Sequence, residues 1–178
     1  MRPGFPPEPA QSLWTPDAFA ARGARLRWLT AQDLPWLREL YVGTRADEMA
    51  PVPWTPEQKR HFLDQQFDAQ HRHYLQAYGS ADFLAVCDRG DRPLGRLYLQ
   101  RIAPTYLIVD VSLFPAVRGQ GLGTALIGAV QEQAAAQGCG VMLHVLQQNP
   151  RARRLYERLG FVAGEEGHSP YLRMDWKS

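Results

Sequence analysis

The segment 118–124, with the sequence RGQGLGT, has the composition of an anion-binding loop. It follows an apolar run over 107–114 and opens an amphipathic stretch over 122–137. Glycine allows sharp turns and lets backbone N–H groups approach a ligand closely, and the free N–H groups at the start of a helix attract anions. Arg118 adds a fixed positive charge whose donor fork suits phosphate. The segment therefore predicts a loop that holds a phosphorylated cofactor.

Two common phosphate-binding motifs do not fit this spacing. A mononucleotide P-loop requires Gly-x-x-x-x-Gly-Lys-Ser/Thr, and the segment contains no lysine. A dinucleotide fingerprint requires Gly-x-Gly-x-x-Gly, whereas the glycines here are Gly119, Gly121 and Gly123. The alternative without a ligand is a tight turn between a strand and a helix.

Length and composition limit the other classes of function. The chain has 178 residues, enough for one domain with a substantial core, and its net charge of +2 gives no indication of nucleic acid as a partner. No apolar run reaches the roughly 18 residues of a membrane span, and residues 1–11 lack the apolar core of a signal peptide. Cys87 and Cys139 form no disulfide framework and fit a reducing cytoplasm, which is the expected localisation.

The first half of the chain predicts a tail, a strand and two helices. Residues 1–23 are proline-rich with little apolar periodicity, and we expect them to form a tail. A short strand over 25–29 precedes a helix that begins at Thr30 or Asp33. A second helix begins at Thr55, where a capping threonine, a first-turn proline and a glutamine three residues on form a capping box.

The second half predicts a three-stranded antiparallel meander followed by two strand–helix pairs. The predicted elements are strands over 82–87, 93–101 and 105–114, a helix over 122–137, a strand over 140–146, a helix from Asn149, and strands near Phe161 and over 171–176. The order is β-α-α-β-β-β-α-β-α-β-β, which predicts a mixed α/β sheet in one domain over residues 24–178.

With these elements in place, two segments resemble the GNAT superfamily of acetyl-CoA-dependent N-acetyltransferases. The family's loop pattern Gln/Arg-x-x-Gly-x-Gly/Ala is matched by Arg118, Gly121 and Gly123. Its later pattern, an Asn followed after five residues by Leu-Tyr-x-x-x-Gly-Phe, is matched by Asn149, Leu155, Tyr156, Gly160 and Phe161. The resemblance covers about residues 25 to 176 and implies a mainly antiparallel sheet flanked by helices.

The resemblance implies acetyl-CoA as a cosubstrate and no metal. The loop N–H groups would bind the pyrophosphate, and the strand that ends at Leu113 would pair with the pantetheine arm where it splays from the strand over 141–146. Asn149 would contact the arm or support the splay. The implied cofactor-binding residues are Leu113, Arg118, Gly119, Gln120, Gly121, Leu122, Gly123, Thr124, Asn149 and Tyr156.

The implied reaction is direct attack of an acceptor amine on the thioester, with no acyl-enzyme, and Tyr156 as general acid toward the leaving thiolate. A lysine-type amine costs roughly 4.6 kcal/mol to deprotonate at pH 7, so a general base is useful. Asp110 and His144 are the two candidates, and each has the alternative of an ordinary sheet residue. Periodicity alone would make Tyr156 a core tyrosine. The alternative function is a non-catalytic acyl-CoA-binding or regulatory domain on the same fold.

The acceptor amine is not identified by the sequence. The two early helices and the loop 45–55 should contribute most to its recognition. This region carries both charge signs, so small amines, amino acids, peptide N-termini and antibiotics all stay open. The last strands allow a homodimer. His71 and His73 lie two residues apart on a helix, which does not make a metal pair, and surface positions are expected for both. The arginines at 151, 153 and 154 form a basic cluster; we expect a solvated helix face, and contact with the 3′-phosphate of coenzyme A is the alternative.

Overall fold

The computed structural model describes residues 4–8, 13–14, 16–165 and 167–178. The helices are α1 (Asp17–Ala20), α2 (Leu34–Met49), α3 (Pro56–Ala77), α4 (Leu122–Ala136) and α5 (Pro150–Arg158), with short 3₁₀ turns at Ala31–Asp33 and Pro115–Val117. The strands are β1 (Ala24–Trp28), β2 (Asp82–Asp88), β3 (Pro93–Gln100), β4 (Thr105–Leu113), β5 (Gly140–Leu146), β6 (Val162–Ala163) and β7 (Tyr171–Trp176). The predicted fold class is confirmed.

All seven described strands join one sheet in the order β1-β2-β3-β4-β5-β7-β6. Neighbouring strands pair antiparallel except for β4 and β5, which run parallel. Helix α4 makes the crossover between these two strands, as a parallel connection requires. The glycine loop therefore lies where the chain leaves β4 to begin that crossover.

Helices cover both faces of the sheet and bury one apolar cluster on each. One cluster contains Leu126 and Ile127 of α4 and Tyr156 of α5. Phe19 of α1 is fully buried in the same cluster and Trp14 packs against it, so these two residues attach part of the predicted tail to the domain. The remainder of that predicted tail lies partly outside the described residues. The domain start at residue 24 stays a prediction.

The second cluster lies under α2 and α3, where Leu37 and Phe67 pack on Phe83 and Tyr98 of the sheet. The expected surface position of His71 is wrong. Its ring is buried and stacks on Phe67, with 5.9 Å between ring centroids and 7° between planes. His71 follows Phe67 by four residues, so helical periodicity places both on the same inward face.

Caps set the helix starts as the sequence predicted. Thr55 Oγ1 accepts from the Gln58 backbone N–H at 3.2 Å, and the Gln58 side chain accepts from the Thr55 N–H at 2.9 Å. Asn149 Oδ1 accepts from the Ala152 N–H at 3.1 Å and caps α5. Each cap satisfies N–H groups that have no partner within the helix.

Strand β4 contains a β-bulge at Val109. Tyr98 of β3 pairs with Asp110 and Leu99 pairs with Ile108, so Val109 is an extra residue. Strict alternation predicts that Asp110 points away from both Val109 and Val111, and this fails at Val109. Val109 packs on the second cluster, where Asp110 also finds its partner Tyr74, whereas Val111 packs on the first. The bulge therefore shifts the alternation by one residue.

Beside the bulge, the parallel pair opens. Pairing between β4 and β5 extends from Thr105–Gly140 to Ile108–Leu143 and then ends, although both strands continue. A bulged strand bends and twists more strongly than its neighbour. We attribute the separation of the two strands beyond Ile108 to the bulge.

Asp33 anchors the start of α2 through five hydrogen bonds, one of them from the Thr30 hydroxyl at 3.3 Å. Its carboxylate accepts from Arg27 at 2.7 and 2.9 Å, from the Trp36 indole at 2.7 Å and from the Thr30 N–H at 2.8 Å. Burial opposes ionisation, but these donors lower the pKa of Asp33 to about 2 from its ordinary value of 3.8. The charged form is therefore the one that stabilises the fold.

We expect Asp33→Asn to lower the free energy of unfolding at neutral pH by about 3 kcal/mol, because Arg27 loses its half-buried counterion. Since the folded pKa lies below that of the unfolded chain, the contribution of Asp33 is complete above about pH 4 and disappears as the pH falls towards 2. Urea unfolding at several pH values measures this. Asp91→Asn is the control, because Asp91 also pairs with Arg27 but is half exposed, and should cost less than about 1 kcal/mol.

Candidate active site

The glycine loop is built on left-handed backbone at two positions. Gly119 has φ +74° and Gly121 has φ +79°, conformations that L side chains rarely adopt. Gly121 is the N-cap of α4 and has no side chain with which to cap the N–H groups of the first turn. Arg22 braces the loop from outside, donating from Nη1 to the Gln120 carbonyl at 3.0 Å.

Two arginines concentrate positive charge beside this loop. Arg118 donates from Nε to the Leu113 carbonyl at 2.8 Å, which fixes its stem against the end of β4. Burial and the neighbouring Arg151 lower the pKa of Arg118, and Asp47 offsets this only in part. Neither arginine forms a salt bridge within the described part of the chain. An anion bound here would relieve the repulsion, so the loop suits a phosphate ligand.

A cavity of about 590 Å³ extends from this loop into the opening between β4 and β5. The predicted cofactor-binding residues that line it are Leu113, Arg118, Gly119, Gly121, Gly123, Thr124, Asn149 and Tyr156. Gln120 instead donates to the Ala116 carbonyl, and Leu122 packs in the first apolar cluster. Arg151 lies at the cavity rather than wholly on a solvated helix face.

Tyr156 is nearly buried and contributes to the same cavity. Burial, together with the charge of Asp110, raises the pKa of Tyr156 to about 12. Its hydroxyl makes no hydrogen bond to any described residue, while its ring packs on Phe161 with 5.8 Å between centroids. The phenol is therefore protonated at neutral pH and available as a donor.

Asp110 is held by four hydrogen bonds at the bulge. Its Oδ1 accepts from Arg96 Nε at 3.0 Å and from Ser112 Oγ at 3.0 Å. Its Oδ2 accepts from Arg96 Nη2 at 3.0 Å and from the Tyr74 hydroxyl at 3.1 Å. A carboxylate offers about four acceptor sites, and these contacts occupy all of them. Asp110 lines the cavity, but taking up a proton requires one donor to turn away.

Arg96 is the buried partner in this network, and the sequence reasoning missed it. Its side chain is 4% exposed, lies over the Tyr98 ring and also donates to Gln70 at 2.8 Å. Although burial disfavours the guanidinium charge, Asp110 and the nearby phenols raise the pKa of Arg96 above its usual value. The available signal was an arginine in a strand otherwise rich in apolar residues.

His144, the other predicted base, is exposed on β5 opposite Arg173 of β7. It is not among the described residues that line the cavity. The alternation of side chains along β5 explains this exposure. Leu143 and Val145, on either side of His144, point into the first cluster, so His144 points to the opposite side of the strand. The prediction for His144 is untested; of the two predicted bases, Asp110 is the one among the described residues that line the cavity.

Helices α2 and α3 and the sheet form the part of the cavity that we call the acceptor end. Arg45 and Glu48 belong to the region expected to recognise the acceptor. Tyr41, Thr44 and Gln70 also line this end, and they lie on the two early helices that the sequence predicted to recognise the acceptor. Periodicity explains the α2 group, since 41, 44, 45 and 48 recur on one helix face.

No described helix combines the length and apolar composition needed to cross a membrane. Among the described residues, no group of three or more His, Cys, Asp or Glu side chains is placed to hold a metal ion.

Comparison with known proteins agrees with this geometry. The sequence model of the family described as "Acetyltransferase (GNAT) family" matches residues 36–161. Among solved structures, the PaiA N-acetyltransferase from Thermoplasma acidophilum in complex with coenzyme A is similar, with a TM-score of 0.66 and 19% identity over 87% of this chain and 99% of that one.

Two further structures share the fold. A histone acetyltransferase HPA2 and related acetyltransferase from Corynebacterium glutamicum has a TM-score of 0.59 and 19% identity, over 87% of this chain and 96% of that one. A spermidine N-acetyltransferase SpeG chimera from Vibrio cholerae and hSSAT has a TM-score of 0.58 and 21% identity, over 87% and 95%. At these identities the similarity concerns the fold alone.

We expect Asp110→Asn to lower the free energy of unfolding by about 3 kcal/mol, because it leaves the buried Arg96 guanidinium without its counterion. Ser112→Ala removes one donor to Asp110 and should cost only about 1 kcal/mol. Chemical denaturation of both variants gives the comparison. A stable Asp110→Asn protein that has lost turnover would instead identify Asp110 as the base rather than as a structural counterion.

Proposed function

The chain belongs to the acetyltransferase (GNAT) family, and from this premise we propose that it transfers an acetyl group from acetyl-CoA to a primary amine by direct attack. The observation that carries the proposal is the position of Tyr156: a protonated phenol, free of protein partners among the described residues, in the cavity that leads from the glycine loop. A domain that only binds acyl-CoA has no need of such an acid.

The residues at the loop suit the donor. The N–H groups at the start of α4 would hold the pyrophosphate, and Arg118 and Arg151 would neutralise its charge. The opening between β4 and β5 leaves backbone groups beyond Ile108 without ladder partners from the neighbouring strand, which suits an extended amide-containing arm. Leu113 and Asn149 lie along this path.

The chain's own residues supply positioning and proton transfer. Acetyl-CoA, when bound, provides a thioester as the activated acyl donor. Tyr156 donates its proton to the leaving thiolate, and backbone N–H groups near Leu113 stabilise negative charge on the carbonyl oxygen. Asp110 is the better placed of the two predicted bases, and it can act once the Ser112 or Tyr74 hydroxyl turns away.

Neither cysteine favours an acyl-enzyme route. Cys87 and Cys139 are both buried, and neither is among the described residues of the cavity. Burial raises the pKa of the Cys87 thiol to about 11, which disfavours the nucleophilic thiolate. Direct attack by the amine needs no such nucleophile.

We expect Tyr156→Phe to lower kcat by about 10- to 100-fold, at the lower end of general acid effects because a thiolate is already a fair leaving group. The dissociation constant for coenzyme A should change less than about twofold, since the ring remains. Thiol release measures kcat, and calorimetry measures binding. Because the pKa of Tyr156 is about 12, its ionisation should cause no loss of wild-type turnover between about pH 7 and pH 10.

Tyr106→Phe is the control for this variant. Tyr106 is buried in the same apolar cluster but is not a described residue of the cavity, so its hydroxyl should not affect turnover. If Tyr156→Phe keeps full turnover, Tyr156 is not the acid.

We expect Gly121→Ala to weaken coenzyme A binding at least tenfold. A Cβ at this φ is strained by about 1–2 kcal/mol, and the Arg22 side chain, whose Nη1 would lie 2.9 Å from it, must shift from its place against the loop. Calorimetric titration with coenzyme A, with a thermal midpoint for each variant, tests this. Gly128→Ala is the control in the same helix, because its Cβ meets nothing within 4 Å. Unchanged affinity in Gly121→Ala would remove the loop from the binding site.

A further inference from the structure

Arg45 has one occupied edge and one free edge at the acceptor end of the cavity. Its Nη1 donates to both Glu48 oxygens, at 3.1 and 2.9 Å. Its Nε and Nη2 have no hydrogen-bond partner among the described residues. The side chain is 25% exposed, and its guanidinium lies 5.4 Å from the centre of the Tyr41 ring. The free donors therefore belong to a positioned guanidinium.

The free edge is the one that binds carboxylates side-on. In Arg96 the same two nitrogens, Nε and Nη2, are occupied by the two oxygens of Asp110. Paired parallel hydrogen bonds of this kind give both strength and orientation. In Arg45 the equivalent pair is available at the cavity.

The hydrogen-bond donors left free in the cavity favour an anionic group on the acceptor. The charged residues that line it are Arg45, Arg96, Arg118, Arg151, Arg158, Glu48 and Asp110. Both carboxylates are already engaged, Glu48 by Arg45 and Asp110 by four donors. With Arg118 and Arg151 assigned to the pyrophosphate, the donors that stay free at the acceptor end are Nε and Nη2 of Arg45, and a carboxylate on the acceptor would pair with them.

Resting on the proposed acetyl transfer, we propose that the acceptor is an amino carboxylate whose carboxylate pairs with Nε and Nη2 of Arg45. Glu48 and the Tyr41 ring hold the guanidinium in place, so they act as positioning residues. The acceptor's amine is then directed toward Tyr156 and the opening between β4 and β5. This assigns a specificity role to Arg45 that neither the fold nor the family defines.

The test uses matched acceptors in which only the carboxylate changes: several amino acids, their carboxamides and the corresponding decarboxylated amines. With the wild-type protein we expect kcat/KM, read as thiol release, to be at least tenfold higher for the amino acids. Arg45→Gln should lower kcat/KM for the amino acids at least tenfold, mainly through KM, and leave the carboxamides unchanged. Arg45→Lys keeps the charge without the fork and should give an intermediate loss.

Arg92→Gln is the control variant. Arg92 is 74% exposed, pairs with Asp88 in the β2–β3 turn and is not a described cavity residue, so its loss should not change the acceptor preference. Thermal midpoints check that the Arg45 variants fold. Calorimetric titration of the amino acids into the coenzyme A complex gives a readout independent of turnover, and binding should weaken in Arg45→Gln.

Equal turnover of all three acceptor types, or an equal effect of Arg45→Gln on each, would overturn the carboxylate proposal and leave the proposed function standing. The carboxylate proposal is also overturned if coenzyme A binds but no amino acid either causes thiol release or binds measurably. Failure of coenzyme A itself to bind, with no thiol release from any amine, would overturn the proposed function instead.

Discussion

One extra residue in β4 determines the geometry of the candidate active site. Val109 has no partner of its own in β3, so the strand bends where its pairing with β5 ends. The bulge also brings Asp110 to the side of the sheet on which α3 lies. A regular strand could have continued the parallel ladder to Val111, opposite Leu146 at the end of β5, and narrowed the opening that leads from the glycine loop. The cavity depends on this single irregularity.

The Arg96–Asp110 pair keeps the bulge in place and joins it to α3. Arg96 comes from β3, Asp110 from β4, and Gln70 and Tyr74 from α3. A buried ion pair is expensive to desolvate, so it contributes little net stability, but removing one partner is strongly destabilising. The network therefore acts chiefly as a specific constraint on two cavity walls. Its acceptor sites are filled, which also keeps the carboxylate from moving freely.

The sequence was most informative where local chemistry decides the structure. The caps at Thr55 and Asn149 located two helices, and the glycine loop located the crossover to α4, because each signal lies within a few residues. The bulge at Val109 and the partners of Asp110 depend on contacts 14 and 36 residues away, which no local pattern specifies. The sequence of β4 does contain one local sign of the bulge. Strict alternation would have placed the polar residues Asp110 and Ser112 on the same face as the apolar residues Tyr106 and Ile108. The burial of His71 is a different case, because its spacing of four residues from Phe67 was a local signal of an inward position and only its polar side chain predicted exposure.

The arginines show that environment, rather than residue type, distinguishes structural from functional charges. Arg96 is buried with its side-on edge filled by Asp110, so it is available to no ligand through that edge. Arg118 stands beside another cation and has no carboxylate partner among the described residues, which makes an anionic ligand its natural counterion. Arg45 lies between these cases, since Glu48 fixes one of its nitrogens and the pair that would bind a carboxylate is free. A cavity with cations at both ends can bind an anionic donor and orient an acceptor that carries both an amine and an acid.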